Sequence, residues 1–321
     1  MKIFSLAAFL FAGAPFVSHA QEMFTTAATK MAATGEGFAL KGSTTGWLFL
    51  RDDVAHVGKA DFRKAGPSPA LPIIIKLRET LAAAGVTLIL APVPSKASVY
   101  PDKLFAGASP DALASSTPFL EELKTTGTTV IDLETLFRAK RAQVDVFCAT
   151  DSHWSPAGAA LAAQAIAATP VLAALAKPGP YVTSVAEKFT ITGDLVASPG
   201  LESTPKEELT LTKVGTGPVI APVPVPAATA GSPVILMGDS HTMVFTDGAS
   251  LGMHCRGAGL RDHLQAALGF PLIQLSNQNS GGTGARRLLT QRLQADPAYL
   301  TDVKAIIWVF SIREFTMGKW R

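Results

Sequence analysis

Residues 234–242, VILMGDSHT, decide the fold of this chain. Four apolar residues in succession have the composition of a strand that is buried on both faces of a parallel sheet. Gly238 then permits a tight turn, and Ser240 stands where the strand ends and a helix is expected to begin. Backbone N–H groups at such a helix start can stabilise an oxyanion, so the position suits a nucleophile. Taken alone, the tripeptide Gly-Asp-Ser also occurs in many ordinary turns.

An alternation of helices and apolar strands surrounds this stretch. The predicted helices cover residues 73–84, 110–125, 156–168 and 285–294, and the predicted strands cover 86–91, 128–133, 234–237, 272–275 and 305–310. Uninterrupted apolar strands separated by helices indicate a parallel sheet with helices on both faces. The predicted fold class is therefore α/β, a three-layer α/β/α sandwich with a mostly parallel sheet.

One long segment, residues 178–232, departs from this pattern and is rich in Pro, Thr, Gly and Val. Proline is poorly tolerated in helix interiors and central strands, so we expect a β-rich hairpin or loop inserted into one domain that covers 42–321. A linker between two domains is the alternative. Residues 42–50, GSTTGWLFL, are expected to open the domain, and 21–41 to form an N-terminal extension.

The first twenty residues have the form of a signal peptide. Lys2 precedes an apolar run over 3–17, and Ser18-His19-Ala20 fits a signal-peptidase site. We therefore predict that residues 1–20 are removed and that the protein is periplasmic; an uncleaved membrane anchor is the alternative. No later stretch is long and apolar enough to cross a bilayer.

Charge argues against one class of binding partner, and the cysteine content predicts a disulfide. The 28 Lys and Arg residues against 25 Asp and Glu give a net charge of +3, and the basic residues form no stripe, so nucleic acid is not an expected partner. Cys148 and Cys255 are the two cysteines of the sequence. Because cysteines of exported proteins commonly pair, we expect a disulfide between them.

A second motif, Asp151-Ser152-His153-Trp154, lies directly before a helix that Ser155 and a proline are expected to start. Residues two apart in an extended segment point to the same side, so Asp151 can orient one nitrogen of His153 while the other faces a serine. A serine hydroxyl needs such an oriented base at neutral pH. We predict a triad of Ser240, His153 and Asp151; an Asp and His that only cap the helix are the alternative.

The two motifs together resemble the SGNH hydrolase-like domain of the alginate O-acetylation proteins, the AlgX/AlgJ group. In that group the Asp-x-His segment precedes the serine, a permuted order that is also found here, with 240 − 153 = 87 positions from His153 to Ser240. The entry GSTTGWLFL and the late stretch WVFSIREF, residues 308–315, extend the resemblance over about residues 42–315.

The resemblance implies that Ser240 forms an acetyl-serine intermediate without a cofactor. It implies an acetyl donor that is a membrane-bound O-acyltransferase and a polysaccharide acceptor. Gly281 and Gly282 are candidates for oxyanion or substrate binding. The family's middle-block Asn is absent, so Arg313 either substitutes for it as an electropositive group or forms a structural ion pair. Trp154 is expected to line the site.

Competing interpretations concern metals and the type of reaction. The side chains Asp239, His241, His254, Cys255 and His263 crowd one region, but their spacing fits no compact zinc pattern, so no metal is expected. His241 is at best an indirect contributor, because neighbouring side chains on such a turn diverge. An O-acetyl esterase with the same triad and a non-catalytic scaffold of an exopolysaccharide complex remain alternatives to the acetyltransferase.

Overall fold

A five-stranded parallel sheet runs through the centre of the computed structural model, which describes residues 19–59, 70–109, 113, 116–201 and 205–320. With strands numbered in chain order, the spatial order is β10 (Ile273–Ser276), β9 (Val234–Gly238), β11 (Ala305–Ser311), β3 (Thr87–Val93) and β4 (Thr129–Val130). All four neighbouring pairs are parallel. The carboxyl ends of these strands therefore lie at one edge, where ligands bind in open α/β sheets.

Side chains of the central strands alternate between two apolar layers, as the two-residue period of a strand requires. On β11, Ile307 and Val309 pack into one layer, whereas Ile306 and Trp308 pack into the other. The first layer is covered by α7 (Leu133–Lys140), α8 (Pro156–Ala167) and α10 (Leu260–Leu268), and the second by α3 (Ala70–Ala83), α6 (Thr117–Thr125) and α11 (Gly281–Ala295). This arrangement confirms the three-layer α/β/α sandwich.

The other described elements lie outside this sandwich. The helices are α1 (His19–Thr34), α2 (Arg51–Val57), α4 (Lys96–Val99), α5 (Pro101–Leu104), α9 (Pro170–Leu175) and α12 (Glu314–Met317). The strands are β1 (Ala39–Lys41), β2 (Leu48–Leu50), β5 (Tyr181–Thr183), β6 (Glu187–Ile191), β7 (Glu207–Leu211) and β8 (Val214–Thr216). Short 3₁₀ helices cover Asp194–Ala197, Ser240–Thr242 and Ala249–Leu251.

The sequence pattern located the central strands but missed some of the covering helices. The predicted strand over 128–133 is only the two-residue β4, because the Asp132 side chain accepts a hydrogen bond from the Thr135 N–H and starts α7 there. Helix α10 was not among the predicted helices. Part of the predicted helix over 110–125 lies outside the described residues.

At the N-terminus, α1 packs against the domain and does not project from it. Phe24 and Ala28 are buried in the first apolar layer, and the rings of Phe24 and Phe105 have centroids 5.3 Å apart. Strand β1 pairs antiparallel with β2. Most of the predicted signal peptide lies outside the described residues, and its last two residues begin α1.

The segment over 178–232 contains two small antiparallel sheets, β5 with β8 and β6 with β7. Ile191, Leu209 and Leu211 are buried against the first apolar layer. The predicted β-rich insertion is therefore present, and its inner side packs on the sandwich. Within the parts of the chain that the structure describes, no helix combines the length and apolar composition that crossing a membrane requires.

Candidate active site

The turn that carries Ser240 is built at the carboxyl end of β9. A side chain at Gly238 would clash with the carbonyl oxygen of Val309 on β11, so a residue larger than glycine does not fit there. The Asp239 side chain accepts the His241 N–H and caps the 3₁₀ helix that begins at Ser240. Ser240 is consequently half-buried and stands at the edge of the sheet where a ligand site is expected.

Residues 147–154, here named the triad loop, carry Asp151 and His153 and face the Ser240 turn. Its two ends, Phe147 and Trp154, form an antiparallel bridge, and the Ser155 side chain accepts the Gly158 N–H at the start of α8. The proline that follows Ser155 suits the first helical position because it has no N–H to satisfy. These local contacts close the loop and present residues 151–153 toward β9.

The structure brings the three predicted triad residues together. The Nε2 atom of His153 lies 2.7 Å from Ser240 Oγ, and its Nδ1 atom lies 2.6 Å from Asp151 Oδ1. Both distances are in the range of strong hydrogen bonds. Asp151 is 1% exposed and His153 is 8% exposed, so water competes little with these contacts.

Burial and mutual attraction shift the titration of this pair. Burial lowers the pKa of His153, but the Asp151 carboxylate beside it outweighs burial and raises that pKa to about 9. Burial acts in the opposite direction on Asp151, whose pKa is nevertheless held well below its ordinary value by His153 and by hydrogen bonds from His153 and His254. The carboxylate therefore stays ionised and stabilises a protonated His153.

Two further groups bind the outer oxygen of Asp151, and sequence reasoning had not assigned either to the triad. His254 donates through Nε2 to Asp151 Oδ2 at 2.9 Å, and the Asp194 N–H donates to the same oxygen at 2.9 Å. The Asp194 carboxylate accepts from the N–H and the hydroxyl of Ser152. Asp194 belongs to the β-rich insertion and His254 follows β9, so the triad acid joins three parts of the chain.

A second Asp-His pair lies directly behind the serine. His241 Nδ1 is 3.0 Å from Asp239 Oδ1, while Asp239 Oδ2 accepts the Ser311 N–H at 2.9 Å. Burial lowers the pKa of His241, and its ring centroid lies 4.9 Å from that of His153. The Asp-x-His spacing at 239–241 matches that at 151–153, so the signal for this pair was present in the sequence.

Trp154 does not line the site, so that prediction is wrong. Its side chain is completely buried, with its ring centroid 5.3 Å from His241 and 6.5 Å from Phe137. The backbone bridge with Phe147 turns the ring into the core. Trp154 therefore packs against His241, whose ring in turn lies beside that of His153.

Gly281 and Gly282, the candidates for oxyanion or substrate binding, both lie against the carboxylate of Glu314. A side chain at Gly281 would clash with the Glu314 carboxylate, and the Gly282 N–H already donates to Glu314. This contact contradicts the expected role of Gly282 as a free oxyanion donor. The two residues instead allow the start of α11 to approach Glu314 and the neighbouring aromatic rings.

Arg313 lies close to the second Asp-His pair. Its guanidinium donates to Ser311 Oγ at 2.8 Å, and no described carboxylate is within 4.0 Å of it. Its positive charge helps to lower the pKa of His241. Arg313 is therefore an electropositive group beside the Asp239–His241 pair, and its predicted substrate role stays a prediction.

Cys148 and Cys255 are both free thiols, so the predicted disulfide is wrong. Cys148 is buried in the core, and its Sγ lies 3.6 Å from the carbonyl oxygen of Trp154. Burial raises the pKa of both thiols, to about 12 for Cys255. The two thiols have different charged neighbours, such as Lys213 at Cys255 and Lys96 at Cys148.

The His-rich region considered for a metal does not converge on one point among the described residues. A different group, Asp151, His153 and Asp194, places one potential ligand atom each within 4.8 Å of one another. Both ring nitrogens of His153 are already engaged by Asp151 and Ser240, and Asp194 accepts two hydrogen bonds from Ser152. The arrangement therefore suits proton transfer.

A parallel α/β sandwich with a serine at the end of a central strand, facing an Asp-x-His loop, has the architecture of an SGNH hydrolase-like domain. The chain belongs to the family described as SGNH hydrolase-like domain, acetyltransferase AlgX, whose model matches residues 41–312. The resemblance seen in the sequence is thereby confirmed.

Curated relatives of the chain carry the name probable alginate O-acetylase AlgJ. The protein of Pseudomonas syringae pv. tomato is 28% identical over 276 residues, and that of Pseudomonas aeruginosa is 32% identical over 162 residues. The matches cover 83% and 47% of this chain, but 66% and 39% of the relatives. The matched part of the chain thus spans less than two thirds of either relative.

Two solved structures share the fold. The O-acetyltransferase domain of Pseudomonas putida AlgJ superposes with a TM-score of 0.62 at 23% identity and covers 88% of this chain and 93% of that domain. Pseudomonas aeruginosa AlgX also gives a TM-score of 0.62, at 16% identity, covering 92% of this chain and 68% of AlgX. These similarities establish the α/β fold with its parallel central sheet.

Proposed function

We propose that this chain is a periplasmic polysaccharide O-acetyltransferase that works through an acetyl group on Ser240. The observation that carries the proposal is the continuous contact from Ser240 Oγ through His153 to Asp151, at 2.7 and 2.6 Å. Membership of an acetyltransferase family and relatives named alginate O-acetylase support the same reaction class. The proposed location rests on the predicted signal peptide over 1–20.

In the first half-reaction, Ser240 Oγ attacks the carbonyl carbon of an acetyl donor while its proton passes to His153 Nε2. The tetrahedral intermediate then expels the donor's leaving group, which takes the proton from His153. In the second half-reaction a sugar hydroxyl loses its proton to His153 and attacks the acetyl-serine. Ser240 leaves with that proton and is regenerated. Asp151 keeps the Nδ1–H of His153 in place throughout.

The negative charge on the tetrahedral intermediate requires N–H donors beside Ser240. Among the described residues, the Ser240 N–H donates to no other group, and it stands at the start of the 3₁₀ helix. We therefore assign it as one oxyanion donor in place of Gly282.

A membrane-bound O-acyltransferase that supplies the acetyl group is part of the proposal and follows from the resemblance stated above. An O-acetyl esterase would use the same Ser240 contacts with water in place of the sugar hydroxyl. The two reactions differ in whether a sugar hydroxyl or water attacks the acetyl-serine. That competition depends on how well the bound acceptor excludes water from the site.

The test uses p-nitrophenyl acetate as donor, with and without oligosaccharide acceptors. Ser240→Ala is expected to abolish acetyl release, with a loss on the order of 10⁶-fold, because no other group supplies the attacking oxygen. The exposed Ser43→Ala is the matched control and should keep the wild-type rate. Mass spectrometry of the quenched enzyme should find the acetyl group on the peptide that contains Ser240.

Acetylated oligosaccharide in the products would support the transferase. Release of acetate alone, unchanged by every acceptor, would support the esterase instead. Wild-type turnover by Ser240→Ala, or no turnover by the wild-type protein, would contradict both enzymatic readings and leave the scaffold alternative.

A further inference from the structure

Lys96 is a buried cation that the mechanism above does not use. It begins α4, separated by two residues from the end of β3, and only 2% of its surface is exposed. Its Nζ donates to the carbonyl oxygens of Leu48, Ala149 and Asp151 at 2.6, 2.9 and 3.1 Å. An ammonium group has three donors, so each is matched by one acceptor. Two of the three acceptors belong to the triad loop.

The motif that opens the domain supplies the rest of the Lys96 environment. Nζ lies 5.2 Å from the ring centroids of both Trp47 and Phe49, a distance at which a cation is attracted to an aromatic face. The N–H of Leu48, which lies between them, donates to the Ala149 carbonyl at 2.9 Å. The stretch GWLFL therefore binds both the lysine and the triad loop.

A carboxylate from the β-rich insertion holds the same loop through its amides. Glu207, at the start of β7, accepts the N–H groups of Ala149 and Thr150 at 2.7 and 2.8 Å. It also accepts the Thr150 hydroxyl at 2.9 Å. Around Asp151, the carbonyl oxygens of Ala149 and Asp151 thus accept from Lys96, while the N–H groups of Ala149 and Thr150 donate to Glu207.

We propose that Lys96 and Glu207 are positioning residues that fix the backbone of residues 149–151 and thereby hold Asp151 against His153. The proposal rests on the triad function stated above. Its physical basis is that the 2.6 Å contact between Asp151 and His153 depends on where the backbone of Asp151 lies. A displacement of about 1 Å at such a contact can cost on the order of 100-fold in rate.

Several ionisable groups face the Lys96 ammonium and bear on its charge. They are Cys148, Glu207, Asp151 and Asp194. Burial lowers the pKa of Lys96 to about 8, and the negative charges of the carboxylates among these groups oppose that effect. The lysine therefore stays largely protonated at neutral pH, as three carbonyl acceptors require.

A lysine and a glutamate that only stabilised the fold would change melting temperature without changing the chemistry of the active site. The pH dependence of the reaction separates the two roles. In Glu207→Gln, a loosened Asp151 raises the pKa of His153 less than the held carboxylate does. The midpoint of the rise in kcat/KM with pH should therefore move to lower pH.

The experiment measures kcat/KM for p-nitrophenyl acetate over a range of ~4 pH units, from about pH 6 to about pH 10, which spans the titration of histidine. The concentration of active serines is determined by titration with a sulfonyl fluoride. Glu207→Gln is expected to lose about 10- to 100-fold per active serine and to show the lowered midpoint. Its matched control is Glu208→Gln, at the adjacent position. The Glu208 side chain is 60% exposed and pairs with Lys188 at 3.0 Å, so this variant should match the wild type in both readouts.

Lys96→Met is the second arm, since methionine is an unbranched side chain of nearly the same length and lacks the three donors. A folded Lys96→Met protein should lose about 10-fold or more. The double variant should lose clearly less than the product of the two single losses, because both residues hold the same short stretch of backbone, residues 149–151. If Lys96→Met fails to fold, the Glu207→Gln arm decides alone.

A Glu207→Gln protein with wild-type kcat/KM and pH midpoint would overturn the proposal, as would a lowered melting temperature with unchanged chemistry. Ser240→Ala, run in parallel, separates this failure from failure of the proposed function. If Ser240→Ala loses activity and Glu207→Gln does not, only the positioning role is wrong.

Discussion

The two halves of the candidate site are held in different ways. The Ser240 turn depends on its own strand and on neighbours within the sheet, through Gly238 packed against Val309 and the Asp239 cap on the next turn. The triad loop is closed locally but receives its remaining contacts from distant segments. The separations in sequence are 55 residues for Lys96 to Asp151 and 103 for His254 to Asp151.

We therefore expect that mutations can displace the base, His153, without displacing the nucleophile, Ser240, and the reverse. A change in the insertion or near Leu48 should displace the triad loop while Ser240 remains on β9. A change at Gly238 should damage the sheet itself. The mutations below test that separation, beginning with the largest expected effect.

Loss of the base should stop the reaction without moving the nucleophile. We expect His153→Gln to reduce kcat/KM for an acetyl ester by about 10⁴-fold or more, since His153 is the one described side chain that hydrogen-bonds Ser240 Oγ and can accept its proton. The melting temperature should stay close to that of the wild type, because the loop keeps its contacts at Ala149 and Thr150. Wild-type rates in this variant would remove His153 from the triad.

Replacement of the acid should change both the rate and its pH dependence. His153 must be neutral to accept a proton, and its pKa of about 9 predicts that wild-type kcat/KM rises with pH up to that value and then levels off. In Asp151→Asn the largest effect that opposes burial is lost, and only the weaker effects of Asp194 and Asp239 remain, so the midpoint should move to lower pH. The plateau should fall by roughly 10² to 10⁴-fold. An unchanged midpoint would show that Asp151 does not act on His153.

The outer contact of Asp151 should have a smaller effect. His254→Phe removes the Nε2–H donor and keeps a ring against Phe245, whose centroid lies 5.1 Å away. We expect a loss of about 10-fold, equivalent to one hydrogen bond to a charged group at ~1.5 kcal/mol. His254→Gln keeps an N–H donor and serves as the matched control, with at least part of the rate restored. Equal rates for the Phe and wild-type proteins would exclude a role for this contact.

The smallest effect is expected at the cysteines. Both are free thiols, and Cys255 is only partly buried, so Cys255→Ser should leave kcat/KM within about 2-fold of wild type. Two thiols should react with a disulfide reagent after unfolding without reductant. Recovery of no free thiol would restore the disulfide that the sequence suggested.

Sequence reasoning worked where the signal lies within a few residues. Five apolar stretches located the five strands of the sheet, although at β4 only two residues pair. The two-residue spacing of Asp151 and His153 identified a pair that does form a hydrogen bond. Reasoning from residue type alone failed for Trp154 and Gly282, because the direction of a side chain or amide depends on the packing around it.

What the sequence by itself determined is therefore the α/β class, the positions of the main strands and the three residues of the proposed triad. Each follows from periodicity or from local turn chemistry, which short stretches encode. Only the tertiary structure decided that Asp194, Glu207 and Lys96 converge on the triad loop. The physical reason is that those contacts depend on strand order and on how the insertion folds back onto the sandwich, and neither leaves a periodic signal in the chain.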